Sequence, residues 1–404
     1  MLTDVREARV TYWSVLRRQH VFRVLFGSWV GRLAMAMAAV AIPLALRDAG
    51  ADYVFIGLVS GAFALSSAIG SPVIGRIVDR VGQVRVLVPT GLLAAIGFVT
   101  IALAPANHAV VLIGAVLAGA LTPPLEPCLR VLWPGLVAED ELEKAYAVDS
   151  AAQELVFVFG PLVVSLCLAV FAPVSALWAQ ALLTLAGVAT FATAAPARRW
   201  APEKTEHRHW LGPLRHRGLT ILLLAPVGTG VAIGTLNVLV VSYAERFEVF
   251  GGAPMLLALN AFAALAGALI YGMIRWTIQP RTRIVSFAAG LLVGYGMLAT
   301  VPTPLPMAGL MLLTGFFLAP MLAALFGLIS DLAPRGTVTE AFAWLVTLFA
   351  AGTSLGAAVV GPVLDRGELH LAAAHAGAGA LFCLAVLGAG YRLFVPAGQP
   401  VAAD

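Results

Sequence analysis

Charged residues are scarce in this sequence. Asp, Glu, Lys and Arg together make up 11% of the 404 residues, whereas soluble globular proteins carry about 25%. Hydrophobic residues make up 60% of the chain, and they gather in stretches of roughly 20, the length needed to cross a bilayer. This composition excludes a soluble globular protein and predicts an all-α protein embedded in a lipid bilayer.

Cysteine is also scarce, with three residues in the whole chain. Cys128, Cys167 and Cys383 all fall in apolar stretches, so we expect neither a disulfide framework nor a thiolate metal site. His207 and His209 lie close together in sequence, but two histidines without further ligands are a weak pattern for a metal. We therefore predict no metal and no cofactor.

Twelve membrane spans fit the length of the chain and the distribution of its apolar residues. The first span follows a basic stretch, is of full span length and lacks a small-residue cleavage site. We therefore interpret it as a span and not as a signal peptide. The predicted spans are 23–46, 54–75, 84–104, 109–133, 146–171, 174–195, 219–243, 254–275, 284–303, 306–331, 339–363 and 371–394.

Lys and Arg are distributed unequally between the two sides of this topology. With the N-terminus in the cytoplasm, the cytoplasmic segments hold 21 of them, and the opposite side holds only Arg47, Arg246 and Arg366. Because positive charge accumulates in cytoplasmic loops, both termini are predicted to be cytoplasmic, in a multi-pass protein of the cell membrane. The topology also accounts for the net charge of +4, so no nucleic-acid partner is expected.

The chain divides into two similar halves. A shift of 196 residues aligns Gly119 with Gly315, Pro124 with Pro320, and Gly160 with Gly356. The longest connection between spans separates the halves and is basic and proline-containing. The predicted organisation is a cytoplasmic segment 1–22, a six-helix half 23–195, a cytoplasmic central loop 196–218, a second six-helix half 219–394 and a cytoplasmic tail 395–404.

The loop between predicted spans 2 and 3 carries the most informative motif. Its pattern G-x-x-x-D-R-x-G-x-x-R closely resembles the loop joining helices 2 and 3 in the major facilitator superfamily of secondary transporters. The tendency of cytoplasmic loops to be positive would explain the arginines, but not the aspartate or the two glycines. The motif residues are Gly75, Arg76, Asp79, Arg80, Gly82 and Arg85.

This motif predicts a gate between the two halves. Asp79 is an anion that can sit at a helix N-terminus, and the resemblance places that terminus at the start of span 11, near residues 337–340. The arginines can pair with Asp79 or contact lipid headgroups. The two glycines permit close helix approach and a tight turn. The resemblance further implies six-helix halves related by an axis along the membrane normal, with substrate bound between them. Gly272 to Arg275, with Arg281 and Arg283, forms a degenerate second copy of the loop.

Ionisable residues inside the spans are candidate functional sites because they are costly to place there. Arg32 and Glu154 lie at similar depths in spans 1 and 5, and Glu126 lies one helical turn before Arg130. An Arg32–Glu154 or an Arg32–Glu126 pair would neutralise buried charge. Two interpretations remain open: a carboxylate that changes partner carries protons, or a static salt bridge fixes helices within the first half.

Span 5 resembles in part the signature of drug/proton antiporters within this superfamily. In those proteins a glycine-rich pattern ends Gly-Pro-x-x-Gly-Gly, and here only Gly160 and Pro161 match it. Such antiporters carry an arginine in span 4, four residues before a glycine. Here the residue four positions before Gly119 is Ala115, so this arginine is absent. This departure from the pattern argues against direct proton coupling through span 4 and favours Arg32 with a carboxylate as the proton-coupling group.

Proline and glycine also indicate how the spans pack. Pro124 and Pro320 are predicted to interrupt spans 4 and 10, which is tolerated where neighbouring groups satisfy the freed carbonyls. Gly-x-x-x-Gly pairs such as Gly57/Gly61 and Gly352/Gly356 are interpreted as close packing of helices within one chain. We therefore expect a monomer.

Few polar side chains are available to a central cavity; the candidates include Asn237, Asn260, Trp344 and Thr347. A sugar site would need many more, because each unpaired buried polar group costs about 1–3 kcal/mol. We expect a secondary transporter that exports a small apolar or amphipathic compound in exchange for protons, by alternating access. Uptake of a small metabolite is the alternative. An integral-membrane enzyme is disfavoured, since no cluster of nucleophiles or ligands gathers near one interface.

Overall fold

The structure is a computed structural model that describes residues 12–202, 212–250 and 252–394. The predicted tail 395–404, and parts of the predicted segments 1–22 and 196–218, lie outside the described residues. Within these ranges there are α-helices and short 3-10 turns and no β-strand. The helices are α1 (Tyr12–Arg17), α2 (Val21–Asp48), α3 (Tyr53–Val81), α4 (Gln83–Leu103), α5 (His108–Ala120), α6 (Leu125–Leu136), α7 (Leu142–Val170), α8 (Ser175–Ala192), α9 (Ala195–Arg199), α10 (Arg217–Arg246), α11 (Gly252–Met273), α12 (Pro280–Leu298), α13 (Pro304–Leu332), α14 (Val338–Asp365) and α15 (Leu369–Gly390).

All twelve predicted spans are present as helices. In the described part of the chain, eleven segments are long and apolar enough to cross a membrane, and α5 with α6 forms one of them. The twelfth is α12, whose first turn holds Arg281 and Arg283 and is therefore less apolar. The prediction of an all-α membrane protein with twelve spans is confirmed, while α1 and α9 are short helices outside the spans.

The two halves repeat the same helix packing. In the first half α2 packs against α7 and α8, α3 against α5, and α4 against α5 and α8. In the second half α10 packs against α14 and α15, α11 against α13, and α12 against α13 and α15. Each contact in one half has its counterpart in the other, so the predicted pseudo-symmetry of two six-helix halves is confirmed.

The aligned prolines Pro124 and Pro320 differ in their local effect. Residues 121–124 separate α5 from α6, whereas α13 continues through Pro320. The expected interruption of span 10 is therefore wrong. A proline frees the carbonyl four residues before it, which is that of Ala120 in the first half and that of Phe316 in the second. Gly70 and Gly267 from the neighbouring helices pack directly against these two carbonyls, leaving no room for a Cβ.

Other glycines also bring helices together. A Cβ on Gly160 would lie 2.8 Å from the Ala36 Cβ, so Gly160 fixes α7 against α2, and Pro161 follows it without breaking α7. Gly356 packs against the Val231 carbonyl between α14 and α10. The expectation for Gly57 and Gly61 is wrong, because no atom lies within 4 Å of a Cβ built on either.

The halves meet at one end of the bundle, which we call the arginine-rich face. It is formed by the end of α3 and by the starts of α4, α7, α12 and α14, and it includes Arg76, Arg80, Arg85, Lys144 and Arg283.

Helix α14 packs on α3 and α6, and α7 packs on α11 and α13, from mid-helix to this face. In the described residues α2 and α10 make no extensive contact with each other. The described contacts between the halves are thus concentrated between mid-helix and the arginine-rich face, and the space between the halves lies beyond them, towards the opposite face.

The close packing at Gly267 gives a testable consequence for stability. Gly267→Ala would force α11 away from α13, and overpacking of this kind costs about 1–3 kcal/mol, so we expect a lower midpoint of thermal unfolding in detergent. Gly327→Ala in α13 is the control, because no atom lies within 4 Å of its Cβ position and alanine favours helix by about 1 kcal/mol. Equal midpoints for the two variants would contradict the packing.

Candidate functional site

Asp79 joins the two halves at the arginine-rich face. Its side chain is 2% exposed, and its carboxylate accepts hydrogen bonds from the backbone N–H groups of Thr339, at 3.3 Å, and Glu340, at 2.9 Å. These are the second and third residues of α14, whose N–H groups have no partner within the helix. The carboxylate therefore satisfies two unpaired donors and complements the positive end of the helix dipole.

Arg76 and Gly75 complete this first contact. The Arg76 guanidinium forms a two-pronged ion pair with the Glu340 carboxylate, at 3.0 and 2.5 Å. A Cβ on Gly75 would lie 3.1 Å from both the Ala343 Cβ and the Glu340 Cα, so a larger residue here would require α3 and α14 to move apart by a few tenths of an ångström.

The remaining motif residues lie beside this contact. Gly82 has a φ of +106°, and it makes the turn between α3 and α4. The side chains of Arg80 and Arg85 are exposed.

A second contact joins the halves between α7 and α11. A Cβ on Gly272 would lie 2.8 Å from the Ala147 Cβ, which repeats the Gly75–Ala343 approach because Ala147 and Ala343 are 196 residues apart. Arg283 pairs with Glu143 at 2.6 Å and donates to the Tyr271 hydroxyl at 3.0 Å. The degenerate second copy of the motif thus supplies a contact with different chemistry.

The two contacts differ at the residue equivalent to Asp79. Trp276 follows Gly272 by four residues, as Asp79 follows Gly75. The Trp276 indole donates to the Tyr271 carbonyl at 2.9 Å, and the Arg283 guanidinium lies 5.4 Å from its ring centroid. Both contacts therefore contain an arginine–carboxylate pair, but the first also has a carboxylate at a helix N-terminus, where the second has aromatic rings.

Helix α1 lies across the second contact. The Tyr12 hydroxyl donates to the Leu269 carbonyl of α11, and burial raises the pKa of Tyr12 to about 12, so it stays a neutral donor. Arg18 pairs with Glu141 at 3.0 Å, and this carboxylate raises the pKa of the Arg18 guanidinium. These bonds tie the segment before α2 to both halves.

A network of buried charges lies within the first half. Arg32 is bonded to Asp149 at 2.9 Å, and its Nε lies 3.7 Å from Glu126. Arg130 is bonded to the same two carboxylates, at 2.8 Å to Asp149 and 2.5 Å to Glu126. A further amino group of Arg32 donates to the Gln153 side chain. Two arginines and two carboxylates thus balance one another, which buried charge requires.

Asp149 is the member of this network that the sequence interpretation missed. It is fully buried between the two arginines, and the signal was present, because an aspartate in an apolar span is itself a costly placement. The Arg32–Glu126 approach is present, whereas the Arg32–Glu154 alternative is not. Glu154 forms no ion pair or hydrogen bond with any residue in the described ranges. Its side chain lies on a different face of α7 from that of Asp149.

Glu154 lies just beyond a layer of small residues between the halves. This alanine layer consists of Ala151, Ala264, Ala268 and Ala319, from α7, α11 and α13. Glu154 is three residues after Ala151, which places it on the same helix face, one turn nearer the opposite face of the protein. Its side chain is partly exposed. The geometry therefore puts an unpaired carboxylate at the closed end of the space between the halves.

Of the four predicted cavity residues, two form hydrogen bonds to neighbouring helices, one is exposed, and one has a buried nitrogen without a partner among the described residues. The Asn260 amide donates to the Met311 carbonyl at 3.0 Å and to the Thr314 hydroxyl at 2.9 Å, and the Thr347 hydroxyl donates to the Ala68 carbonyl at 3.2 Å. Both thus bond neighbouring helices. Asn237 is exposed. The Trp344 indole nitrogen is buried and has no hydrogen-bond partner among the described residues. A role for these residues in substrate binding stays a prediction.

The described residues offer little for a metal. No group of three or more His, Cys, Asp or Glu side chains among them could hold a metal ion. The chemistry that this arrangement supports is therefore carried by carboxylates, guanidinium groups and helix termini.

A family comparison agrees with this geometry. The family model described as the Major Facilitator Superfamily matches residues 24–357, which is most of the chain, and the protein therefore belongs to this superfamily of membrane transporters. A comparison with curated protein sequences finds no significant match. Family and fold together indicate a secondary transporter and not an enzyme.

Solved structures with the same fold carry different cargo. A bacterial homologue of the iron transporter ferroportin, in an outward-facing state, has a TM-score of 0.77 and 14% identity over 91% of this chain and 98% of its own. The human organic anion transporter MFSD10 (TETRAN) has a TM-score of 0.69 and 16% identity over 93% and 98%. The fucose:proton symporter of E. coli has 0.69 and 16% over 94% and 100%. At these identities the likeness shows the fold alone.

The buried network gives a double-mutant test. Arg32→Gln or Asp149→Asn alone should cost about 3–5 kcal/mol of stability, because each leaves one uncompensated charge in the buried network. The double variant should lose clearly less than the sum, measured as the free energy of unfolding in detergent. Arg32→Gln combined with Glu154→Gln is the control and should be additive to within about 0.5 kcal/mol. Additivity in the Arg32–Asp149 cycle would show that these side chains do not interact.

Proposed function

We propose that this transporter exports a small apolar or amphipathic compound in exchange for protons, in the manner of the drug/proton antiporters of the superfamily. The observation that carries the proposal is Glu154. It is a carboxylate inside a span, partly exposed and without an ion-pair partner among the described residues, at the closed end of the space between the halves. A carboxylate without an ion-pair partner can change its charge without breaking an ion pair, and an ionisable group inside a span is a candidate functional site.

The buried network supplies a second candidate carboxylate, Glu126, which unlike Glu154 is ion-paired. Glu126 is the most accessible of its four charged members, with 17% of its side chain exposed. It lies between Arg32 and Arg130, so its protonation would release both arginines from one partner. We propose Glu154 as the proton-accessible group and Arg32 with Glu126 as the group that responds to it.

The lining of the space between the halves favours an apolar substrate. Two of the polar candidates, Asn260 and Thr347, already use their donors to bond neighbouring helices. A sugar or another polar metabolite would leave several of its own groups unpaired there, at about 1–3 kcal/mol each. The solved relatives transport different compounds on one fold, so the substrate is argued from the site and not from the fold.

The motif at residues 75–85 acts as the gate of the transport cycle in this proposal. The arginine-rich face is the cytoplasmic side of the cell membrane, in keeping with the tendency of cytoplasmic loops to be positive. Both termini then lie in the cytoplasm, and the arrangement described here is closed to the cytoplasm and open outward. Breaking the Asp79, Arg76 and Arg283 contacts opens the protein inward. In this proposal the protein works as a monomer, with substrate, protons and the lipid bilayer as partners.

Transport by inside-out membrane vesicles tests the exchange. With an acidic interior, a lipophilic cationic dye should accumulate inside while protons leave, and dissipating the gradient should abolish accumulation. Glu154→Gln should remove the response to the gradient because the side chain can no longer take up a proton. Glu245→Gln, on the exposed end of α10, is the matched control and should transport normally.

Three results would contradict the proposal. Accumulation that ignores the gradient, or normal gradient-driven accumulation by Glu154→Gln at equal membrane expression, would exclude proton exchange at Glu154. Proton-driven uptake of a polar metabolite by intact cells, with no dye transport, would establish the uptake alternative.

A further inference from the structure

Arg130 belongs to the first half, but it also contacts the second. Its side chain is 1% exposed, and its Nε and one amino group bind Asp149 and Glu126. The guanidinium carbon lies 3.5 Å from the ring centroid of Phe326 and 5.5 Å from that of Phe342. Its other amino group, Nη1, is buried and has no hydrogen-bond partner among the described residues. Aromatic rings therefore take the place of a hydrogen bond on one side of this cation.

The two rings form one aromatic pair on the second half. Phe326 lies on α13 and Phe342 on α14, both are buried, and their centroids are 6.3 Å apart in an edge-to-face arrangement. Tyr146 of α7 packs against the Phe326 ring from the first half, at 6.1 Å. The other partners of the buried charges, which are Arg32, Glu126, Asp149 and Gln153, all belong to the first half.

We infer that Phe326 and Phe342 are positioning residues, which hold Arg130 in the buried charge network only while the halves are closed at the arginine-rich face. A cation over an aromatic face is attracted by the ring quadrupole, and the attraction is strongest where water is excluded. Separation of the halves at this face removes both rings from Arg130 and admits water. Water weakens the bonds of Arg130 to Asp149 and Glu126, because interactions between charges become weaker as the local dielectric constant rises.

The consequence is a direct link between closure and the charge network. In the closed arrangement the aromatic pair stabilises Arg130 in its bonds to the carboxylates, and the network in turn stabilises closure. Such coupling is reciprocal, because two events that share one free energy affect each other equally. No residue of the motif at 75–85 takes part in the Arg130 contacts described here, so this link is separate from the Asp79 contact. The inference deepens the proposed function, but its closure measurement requires no substrate.

Graded fluorination of the Phe326 ring tests the inference. Each added fluorine withdraws electron density from the ring face and weakens cation binding, while the shape of the side chain is nearly kept. Closure is read from the distance between spin labels attached at Arg80 and Arg335, which are exposed and belong to opposite halves. We expect the open population to rise stepwise with fluorine number, and Phe326→Leu to raise it about tenfold.

Phe317 provides the matched control, because it lies on the same helix and packs against Phe316 and Gly290 with no cation over its ring in the described structure. The same fluorination at Phe317 should leave the open population unchanged. A flat response across the Phe326 series, or equal responses at both positions, would overturn the inference. Failure of dye transport by the unmodified protein would instead count against the proposed function, and it would leave the closure result intact.

Discussion

The contact between the Asp79 carboxylate and the start of α14 is the interaction on which the arrangement of the two halves depends. It pairs a buried charge with backbone donors that have no other partner within their helix. Neither group is satisfied if the halves separate without admitting water, so the contact has a closed form and a hydrated form and little between. The Arg76–Glu340 pair and the Gly75–Ala343 approach lie within a turn of it and strengthen the closed form. Because the second copy, at Gly272, has Trp276 in place of the carboxylate, the closure is asymmetric although the fold is symmetric.

In the first half the charged residues inside the spans follow the rule that each is ion-paired, and in the second half such residues are few. Arg32 and Arg130 share Asp149 and Glu126, so no charge in that network is left without a partner. Glu154 departs from the rule, and it lies where the space between the halves ends. The four charges of the network are thus paired with one another, whereas Glu154 can change its charge without breaking an ion pair among the described residues. The aromatic pair on the second half adds a contact through which closure acts on the network.

Much of the fold could be predicted from the sequence, because the length of an apolar run and the positions of arginine are direct consequences of the bilayer. The repeat was visible in aligned prolines and glycines, and the structure supplies its reason in the pairing of Gly70 and Gly267 with carbonyls freed by Pro124 and Pro320. What could not be predicted was the rotation of each helix about its axis. That rotation turns Asp149 towards Arg32 and Glu154 away from it, although the two carboxylates are only five residues apart. It also brings Phe326 onto Arg130, a contact between spans 4 and 10 that no pattern within either span reveals.

We propose that the Asp79 contact holds the arginine-rich face closed and that its loss opens this face while closing the other. The most direct test measures two spin-label distances in one protein, Arg80 to Arg335 across the arginine-rich face and Asp48 to Glu245 across the opposite face. Asp79→Asn keeps the shape of the side chain but removes the charge. We expect this variant to gain a longer Arg80–Arg335 population and, in equal proportion, a shorter Asp48–Glu245 population, while Arg85→Gln changes neither. Unchanged distances in Asp79→Asn, or a lengthening of both, would contradict it.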